Sequence, residues 1–145
     1  MKTQHLHDVW ASPDNSRLTT KQFSFRFPVH IAAKIAALCE MYPQKNRTHI
    51  VADLLGAALD DLEKNLPEAL GAGLTPQEEN DQRMIAKHMG EDYEPLFGLW
   101  GARGQFRELA NKHYKELEKE LGNETPDMLY GEVLITEKYL KEKQS

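Results

Sequence analysis

The chain has few of the features that mark an extracellular or membrane protein. It has one cysteine, Cys39, among 145 residues, so no intramolecular disulfide can form. No apolar run approaches the roughly 20 residues that a helix needs to cross a bilayer. No apolar leader segment stands at the N-terminus. The sequence therefore predicts a reducing, cytoplasmic location and no membrane partner.

The sequence also lacks the common signatures of catalytic and cofactor sites. It contains no glycine-rich phosphate-binding loop, no nucleophile motif and no Cys/His spacing typical of a metal site. His5 and His7 have no third ligand near them in sequence, which favours a mobile arm over a metal centre. Cys39 falls in an apolar helical stripe, where a buried small hydrophobe is the commoner interpretation than a nucleophile. We predict no enzyme activity, no cofactor and no metal.

A strong excess of positive charge is missing as well. The net charge is −5, which argues against a uniformly basic nucleic-acid-binding protein. The distribution is uneven, because residues 1–66 carry a net charge of +1 and residues 67–145 a net charge of −6. We expect any polyanion to bind the N-terminal part, with the acidic C-terminal part turned away.

What the sequence does have is one clear strand pattern, at residues 21–27. Phe23, Phe25 and Phe27 alternate with polar residues, so a strand here would have one aromatic and one polar face. Pro28 ends the pattern. A lone strand leaves its backbone N–H and C=O groups unpaired, and no other segment shows an equally clear strand. The simplest partner is the same strand of a second copy.

Two amphipathic helices are predicted directly after this strand. The first runs from Val29 to Tyr42, between Pro28 and Pro43, and its apolar residues form one stripe. A short polar connection follows, and Thr48 is the predicted N-cap of the second helix, which extends to about Asn65. The apolar stripe of the second helix is wide, as contact with two neighbouring elements would require.

The order of strand, helix, polar turn and helix over residues 21–65 resembles the ribbon–helix–helix family, the fold of the Arc and methionine repressors. The similarity to Arc is closest in the run from Gln22 to Pro28. The resemblance implies a mostly α homodimer, in which an intermolecular two-stranded antiparallel ribbon covers a helical core. It also implies a bacterial DNA-binding protein, a transcriptional repressor or regulator.

The resemblance assigns roles to individual residues. Gln22, Ser24 and Arg26 would contact bases in the major groove of double-stranded DNA, where Arg suits guanine and Gln suits adenine. Around the start of the second helix, free N–H groups and the helix dipole suit a phosphate. Phosphate contacts are expected from Lys21, Arg47, Thr48 and His49. The residues of the dimer core would be Phe23, Phe25, Phe27, Ile35, Leu38, Ile50, Leu54 and Leu55.

Outside this module the sequence predicts three further regions. Residues 1–20 form an N-terminal arm with at most one helical turn, and residues 67–74, rich in glycine, form a linker. Residues 75–145 form an acidic helical extension that opens with a capping box at Thr75 and Glu78. Within it, residues 91–103 look like an apolar loop or broken helix before a helix at about 104–121. Residues 133–136 are compatible with either a final helix or a strand.

Two functions remain open at this point. The first is sequence-specific DNA binding by the paired ribbon, with possible higher-order assembly on DNA. The alternative is a dimeric protein-interaction module, an adaptor or an antitoxin, whose C-terminal helices bind a protein partner with little or no DNA binding.

Overall fold

The structure, a computed structural model, describes residues 5–10 and 17–144 and is mostly helical with one small antiparallel sheet. The elements in chain order are α1 (Leu6–Trp10), α2 (Val29–Met41), α3 (Arg47–Asn65), β1 (Ala69–Gly73), α4 (Pro76–His88), β2 (Phe97–Trp100), α5 (Gly101–Glu120), β3 (Leu134–Ile135) and α6 (Glu137–Gln144). No helix in the described residues combines the length and apolar character needed to cross a bilayer. The mostly α class expected from the sequence is confirmed.

The chain forms two compact units. The first contains the residues up to Lys64 together with Glu120–Asn123, and the second contains residues 65–119 and 124–145. The first unit therefore holds α1, α2 and α3. The second holds the sheet, α4, α6 and nearly all of α5.

The core of the first unit lies between α1, α2 and α3. Its buried residues are Leu6, Trp10, Ile50 and Ala57. Half-buried residues of α2, of its C-cap and of α3 pack around them, namely Leu38, Cys39, Tyr42 and Leu54. Cys39 is thus a packing residue, in accord with its predicted role as a small hydrophobe.

The single turn of α1 is an integral part of this core. The Trp10 indole N–H donates to Asp53 Oδ2 at 2.7 Å, and the Gln44 side-chain amide donates to the Trp10 carbonyl at 3.4 Å. His7 Nδ1 is hydrogen-bonded to the Tyr42 hydroxyl. The prediction of one helical turn was correct. The prediction of a mobile arm was wrong for residues 5–10, because the Leu6 and Trp10 side chains are buried against α2 and α3.

The sheet of the second unit lies in segments that the sequence assigned to other structures. Its order is β1-β2-β3, with antiparallel pairing that aligns Leu70 with Leu99 and Phe97 with Ile135. Residues 69–73 were expected in a linker and form β1, and residues 97–100 were expected in a loop or broken helix and form β2. At 134–135 the strand alternative is correct. The last helix then begins only at Glu137.

Two glycines make the tight junction between β2 and α5 possible. Gly101 has a φ of +76°, and a Cβ built on it would lie 2.8 Å from the Pro67 carbonyl oxygen. A Cβ on Gly104 would lie 2.4 Å from the Leu99 carbonyl oxygen. The positive φ and the close backbone contacts exclude larger residues here. As a result α5 starts three residues before its expected position.

Candidate nucleic-acid interface

The three phenylalanines of residues 22–27 lie side by side on the surface of the first unit. Phe23 and Phe25 are stacked, with centroids 6.4 Å apart and planes within 3°, and Phe27 follows 6.5 Å from Phe25. The three side chains are 64%, 67% and 42% exposed. Residues 22–27 have no assigned secondary structure, and they form no β-ladder and no backbone–backbone hydrogen bond with another described residue. The intermolecular ribbon therefore stays a prediction.

The polar residues of this segment are available for contacts. Gln22, Ser24 and Arg26 are exposed and make no hydrogen bond or ion pair with another described residue. Lys21 is different, because its ammonium group lies 3.4 Å from Glu120 Oε1. Both side chains of that pair are well exposed, so the pair contributes little and gives up little on binding a phosphate.

A groove of about 800 Å³ lies between the segment before α2, residues 18–27, and the N-terminal half of α3. Phe23, Phe25, Phe27, Val51 and Leu55 give it an apolar floor. Five of the predicted DNA-contacting residues also line it, namely Lys21, Gln22, Ser24, Arg47 and Thr48. Arg26 and His49, the other two, do not line the groove. The fold thus brings most of the predicted interface onto one surface of the first unit.

The first turn of α3 is capped two residues earlier than expected. Asn46 Oδ1 accepts from the His49 N–H at 2.8 Å, and the Asn46 carbonyl accepts from the Ile50 N–H at 3.2 Å. Asn46 is therefore the N-cap, and the assignment of the cap to Thr48 was wrong. Asn competes well with Thr at this position because its short side chain reaches back to the N3 amide. Because the His49 N–H donates to this cap, it is not available to a phosphate.

The two preceding amides of α3 remain suited to an anion. The N–H groups of Arg47 and Thr48 have no hydrogen-bond partner among the described residues, and both side chains are exposed. Unpaired first-turn amides and the positive end of the helix dipole attract a phosphate. Of the four predicted phosphate contacts, Lys21, Arg47 and Thr48 keep donors available, whereas the backbone of His49 does not.

The predicted dimer-core residues fall into two groups. Ile50, Leu54 and Leu38 are packed inside the protomer with α1, and Ile35 is half-buried on α2. The three phenylalanines and Leu55 instead form an exposed apolar surface, which Leu59 and Leu62 extend along α3. The wide stripe of α3 thus contacts α1 on one side. Its other side faces solvent in the single chain.

A buried ionic cluster in the second unit was not predicted from the sequence. The Glu68 side chain is 2% exposed, and its Oε1 accepts from Arg103 Nη1 at 2.8 Å, from Lys143 Nζ and from the Tyr139 hydroxyl at 3.4 Å. Its other oxygen, Oε2, is buried and has no hydrogen-bond partner among the residues that the structure describes. No sequence signal links these residues, which lie 35 to 75 positions apart.

The hydrogen-bond donors around Glu68 decide whether its carboxylate is ionised. Burial by itself would raise the pKa of Glu68, but the hydrogen bonds from Lys143 and Arg103 together outweigh burial and hold the pKa below its ordinary value. The same bond raises the pKa of Lys143, against the effect of its partial burial. The cluster is therefore ionised at neutral pH, and it attaches α6 to the residues beside β1 and α5. No cluster of three or more His, Cys, Asp or Glu side chains able to hold a metal occurs in the described part of the chain.

Comparison with known proteins gives limited guidance. No family model and no solved structure matches the chain. A partial similarity exists to the protein ADP-ribosyltransferase PARP3 of Medicago truncatula, with 33% identity over 81 residues. That match covers 54% of this chain but only 10% of the plant protein. The chain thus spans about a tenth of the relative that it matches.

Proposed function

We propose that this chain forms a homodimer through residues 21–27 and binds double-stranded DNA with the polar face of the paired strands. The observation that carries the proposal is the exposed groove with an aromatic floor beside the start of α3. Large apolar surfaces of this kind mark interaction sites, because water contact with them is unfavourable. The second copy supplies an occupant with the same aromatic surface, as two-fold symmetry requires.

The unpaired backbone of residues 22–27 supports the same arrangement. Residues 22–27 keep their N–H and C=O groups available, and antiparallel pairing with a second copy would satisfy those at the strand edge. Pairing would also place the aromatic faces of both strands on the same side of the ribbon. Gln22, Ser24 and Arg26 of both copies would then share the opposite face of the ribbon, which requires Gln22 and Ser24 to leave the groove that they line in the single chain.

This polar face has the chemistry needed for DNA recognition. Arg26 offers two donors that match guanine O6 and N7, and Gln22 can both donate and accept at adenine. Lys21, Arg47 and the first-turn amides of α3 would contact phosphates, which provide affinity without sequence selectivity. We place such a protein in the cytoplasm as a transcriptional repressor without catalytic activity.

The test is a mobility-shift titration on the DNA upstream of its own gene, with wild type and Arg26→Ala. If Arg26 contacts a guanine through both donors, its loss costs about 1–3 kcal/mol in specific binding. Lys34→Ala is the matched control, since Lys34 is an exposed cation of α2 outside the groove. A dimer that binds no tested DNA, or an Arg26→Ala variant that behaves like Lys34→Ala, would refute the proposal.

A second candidate is a dimeric protein-interaction module with little or no DNA binding. It is favoured by the net charge of −6 over residues 67–145, because a large negative charge opposes approach to DNA. Normal dimerisation in sedimentation together with absent DNA binding would support this candidate over the first.

A further inference from the structure

Helix α4 of the second unit presents an apolar face that no other described residue covers. None of its residues is buried. Met84 and Met89 are 64% and 63% exposed, and Ile85 is about half exposed. Asp81 lies three and four positions before Met84 and Ile85, so it occupies the same face of the helix. Methionine is common at protein-binding surfaces because its flexible side chain adapts to different partners.

An open cavity of about 330 Å³ adjoins this face at Ile85. Ile85, Ala86 and Leu96 form its apolar part, with Tyr93 beside them. Glu91, Asp92 and Glu94 line it as well. A space of this size takes one long side chain, and its lining suits an aliphatic stem that ends in a positive charge.

The segment that carries the face is negatively charged, and the nearest cations of another element are Lys138 and Lys141, which line the adjoining pocket with Glu94. Residues 76–96 contain six Asp or Glu and two Lys or Arg. One of the two cations, Arg83, is engaged by Glu79 at 3.0 Å and lies over the Tyr93 ring at 4.3 Å. The carboxylates around the cavity are therefore only weakly compensated by cations of the same segment.

From this combination we infer that the α4 face, defined here as Asp81, Met84, Ile85 and Met89 with the adjoining cavity, binds a basic amphipathic helix of a protein partner. The apolar side of that helix packs on Met84, Ile85 and Met89, and a lysine or arginine enters the cavity. The acidic residues favour a partner of positive charge, and the apolar contact supplies the affinity. This inference concerns the second unit and is independent of DNA binding by the first.

The test uses the full chain and three labelled 18-residue probe peptides in fluorescence anisotropy. The first peptide is an amphipathic helix of Leu and Lys, the second replaces Lys with Glu, and the third replaces Leu with Ser. We expect micromolar binding of the Leu/Lys peptide and at least about tenfold weaker binding of the other two. No binding of the Leu/Lys peptide, or equal binding of the Leu/Lys and Lys/Ser peptides, would overturn the inference.

Two pairs of variants separate a defined face from general attraction of a basic peptide. Met84→Ser with Ile85→Ser removes the apolar contact, and its matched control is Met128→Ser with Leu129→Ser, another exposed Met and Leu pair of the same unit. We expect at least about tenfold loss for the first pair and less than about twofold for the control. Equal losses would overturn the inference.

Neutralising the cavity tests the charge contribution in the same way. The triple variant Glu91→Gln, Asp92→Asn and Glu94→Gln should weaken the Leu/Lys peptide about fivefold or more and lower its salt dependence. The control neutralises three exposed carboxylates elsewhere, at Glu108, Glu116 and Glu132, and has the same net charge. These surface changes leave the fold intact, which circular dichroism verifies. Equal weakening by both triples would show a general charge effect and refute the site.

Discussion

Replacing Glu68 by Gln tests whether one buried carboxylate holds α6 on the second unit. The substitution keeps the shape of the side chain and removes its charge. Arg103 and Lys143 then lose the anion that their charges face, although Oε1 can still accept weaker hydrogen bonds. The expected result is a less stable second unit with a frayed α6, because breaking one partner of a buried ion pair leaves the other charges uncompensated.

The magnitude follows from the contacts. Hydrogen bonds to a charged group contribute about 1.5–3 kcal/mol each, and the Arg103 bond is nearly buried on both sides. The Lys143 side chain is 38% exposed, so water replaces much of its interaction. The Gln NH2 group takes the position of Oε2, where no described residue offers a hydrogen-bond partner, so nothing is recovered there. The free energy of unfolding should therefore fall by about 2–3 kcal/mol, whereas Lys143→Met should cost less than about 1 kcal/mol.

The pKa shifts of Glu68 and Lys143 determine how the stability of the second unit depends on pH. The pKa of Glu68 is lowered on folding, so its contribution is complete above the ordinary pKa of 4.5 and is lost as pH falls through the lowered value. The pKa of Lys143 is raised, so its contribution is complete below its ordinary 10.5 and is lost as pH rises through the raised value. In the wild type, the free energy of unfolding should fall at acid pH as Glu68 becomes protonated. Glu68→Gln should remove most of this loss.

Urea unfolding and amide hydrogen exchange of residues 137–144 measure these effects. Faster exchange in that segment would show that α6 has loosened while the first unit remains protected. Glu132→Gln is the matched control, because Glu132 is exposed and bonds no described residue. If Glu68→Gln and Glu132→Gln have the same stability and the same exchange in α6, the cluster does not hold the helix.

Three other substitutions test the fold and the proposed dimer. Asn46→Ala removes the α3 cap and should lower the free energy of unfolding by about 1 kcal/mol in urea, and no loss would contradict the assignment of the cap. Gly101→Ala introduces a Cβ at positive φ against the Pro67 carbonyl and should cost about 2 kcal/mol or more, or else prevent folding, as thermal unfolding would show. Phe25→Ser removes about 2–3 kcal/mol of apolar contact per chain from the proposed dimer and should shift sedimentation towards monomer, whereas Met128→Ser should not.

Local signals in the sequence were sufficient for the long helices. Pro28 and the apolar period placed the start of α2 at Val29, and the capping box at Thr75 and Glu78 is present as expected, with both reciprocal hydrogen bonds. These predictions succeeded because a cap, a proline and a 3.6-residue period act within one or two turns of the chain. The grouping of the three phenylalanines was also predictable, since alternation over 22–27 puts them on one face.

The sheet and the buried ionic cluster were not predictable in this way. β1 has the sequence Ala-Leu-Gly-Ala-Gly, which has weak strand propensity, and it exists as a strand because β2 pairs with it from 24 to 31 residues away. Asn46 rather than Thr48 caps α3 because the chain turns there, and either residue type could serve.

The sequence by itself therefore determined α2, the capping box of α4, the approximate extents of α3 and α5, and the aromatic alternation at 22–27, all of which depend on near neighbours along the chain. Only the tertiary structure decided that α1 completes the first core, that glycine-rich segments pair into a sheet and that Glu68 meets Arg103 and Lys143. These features depend on contacts between residues far apart in sequence, which propensity and periodicity do not encode.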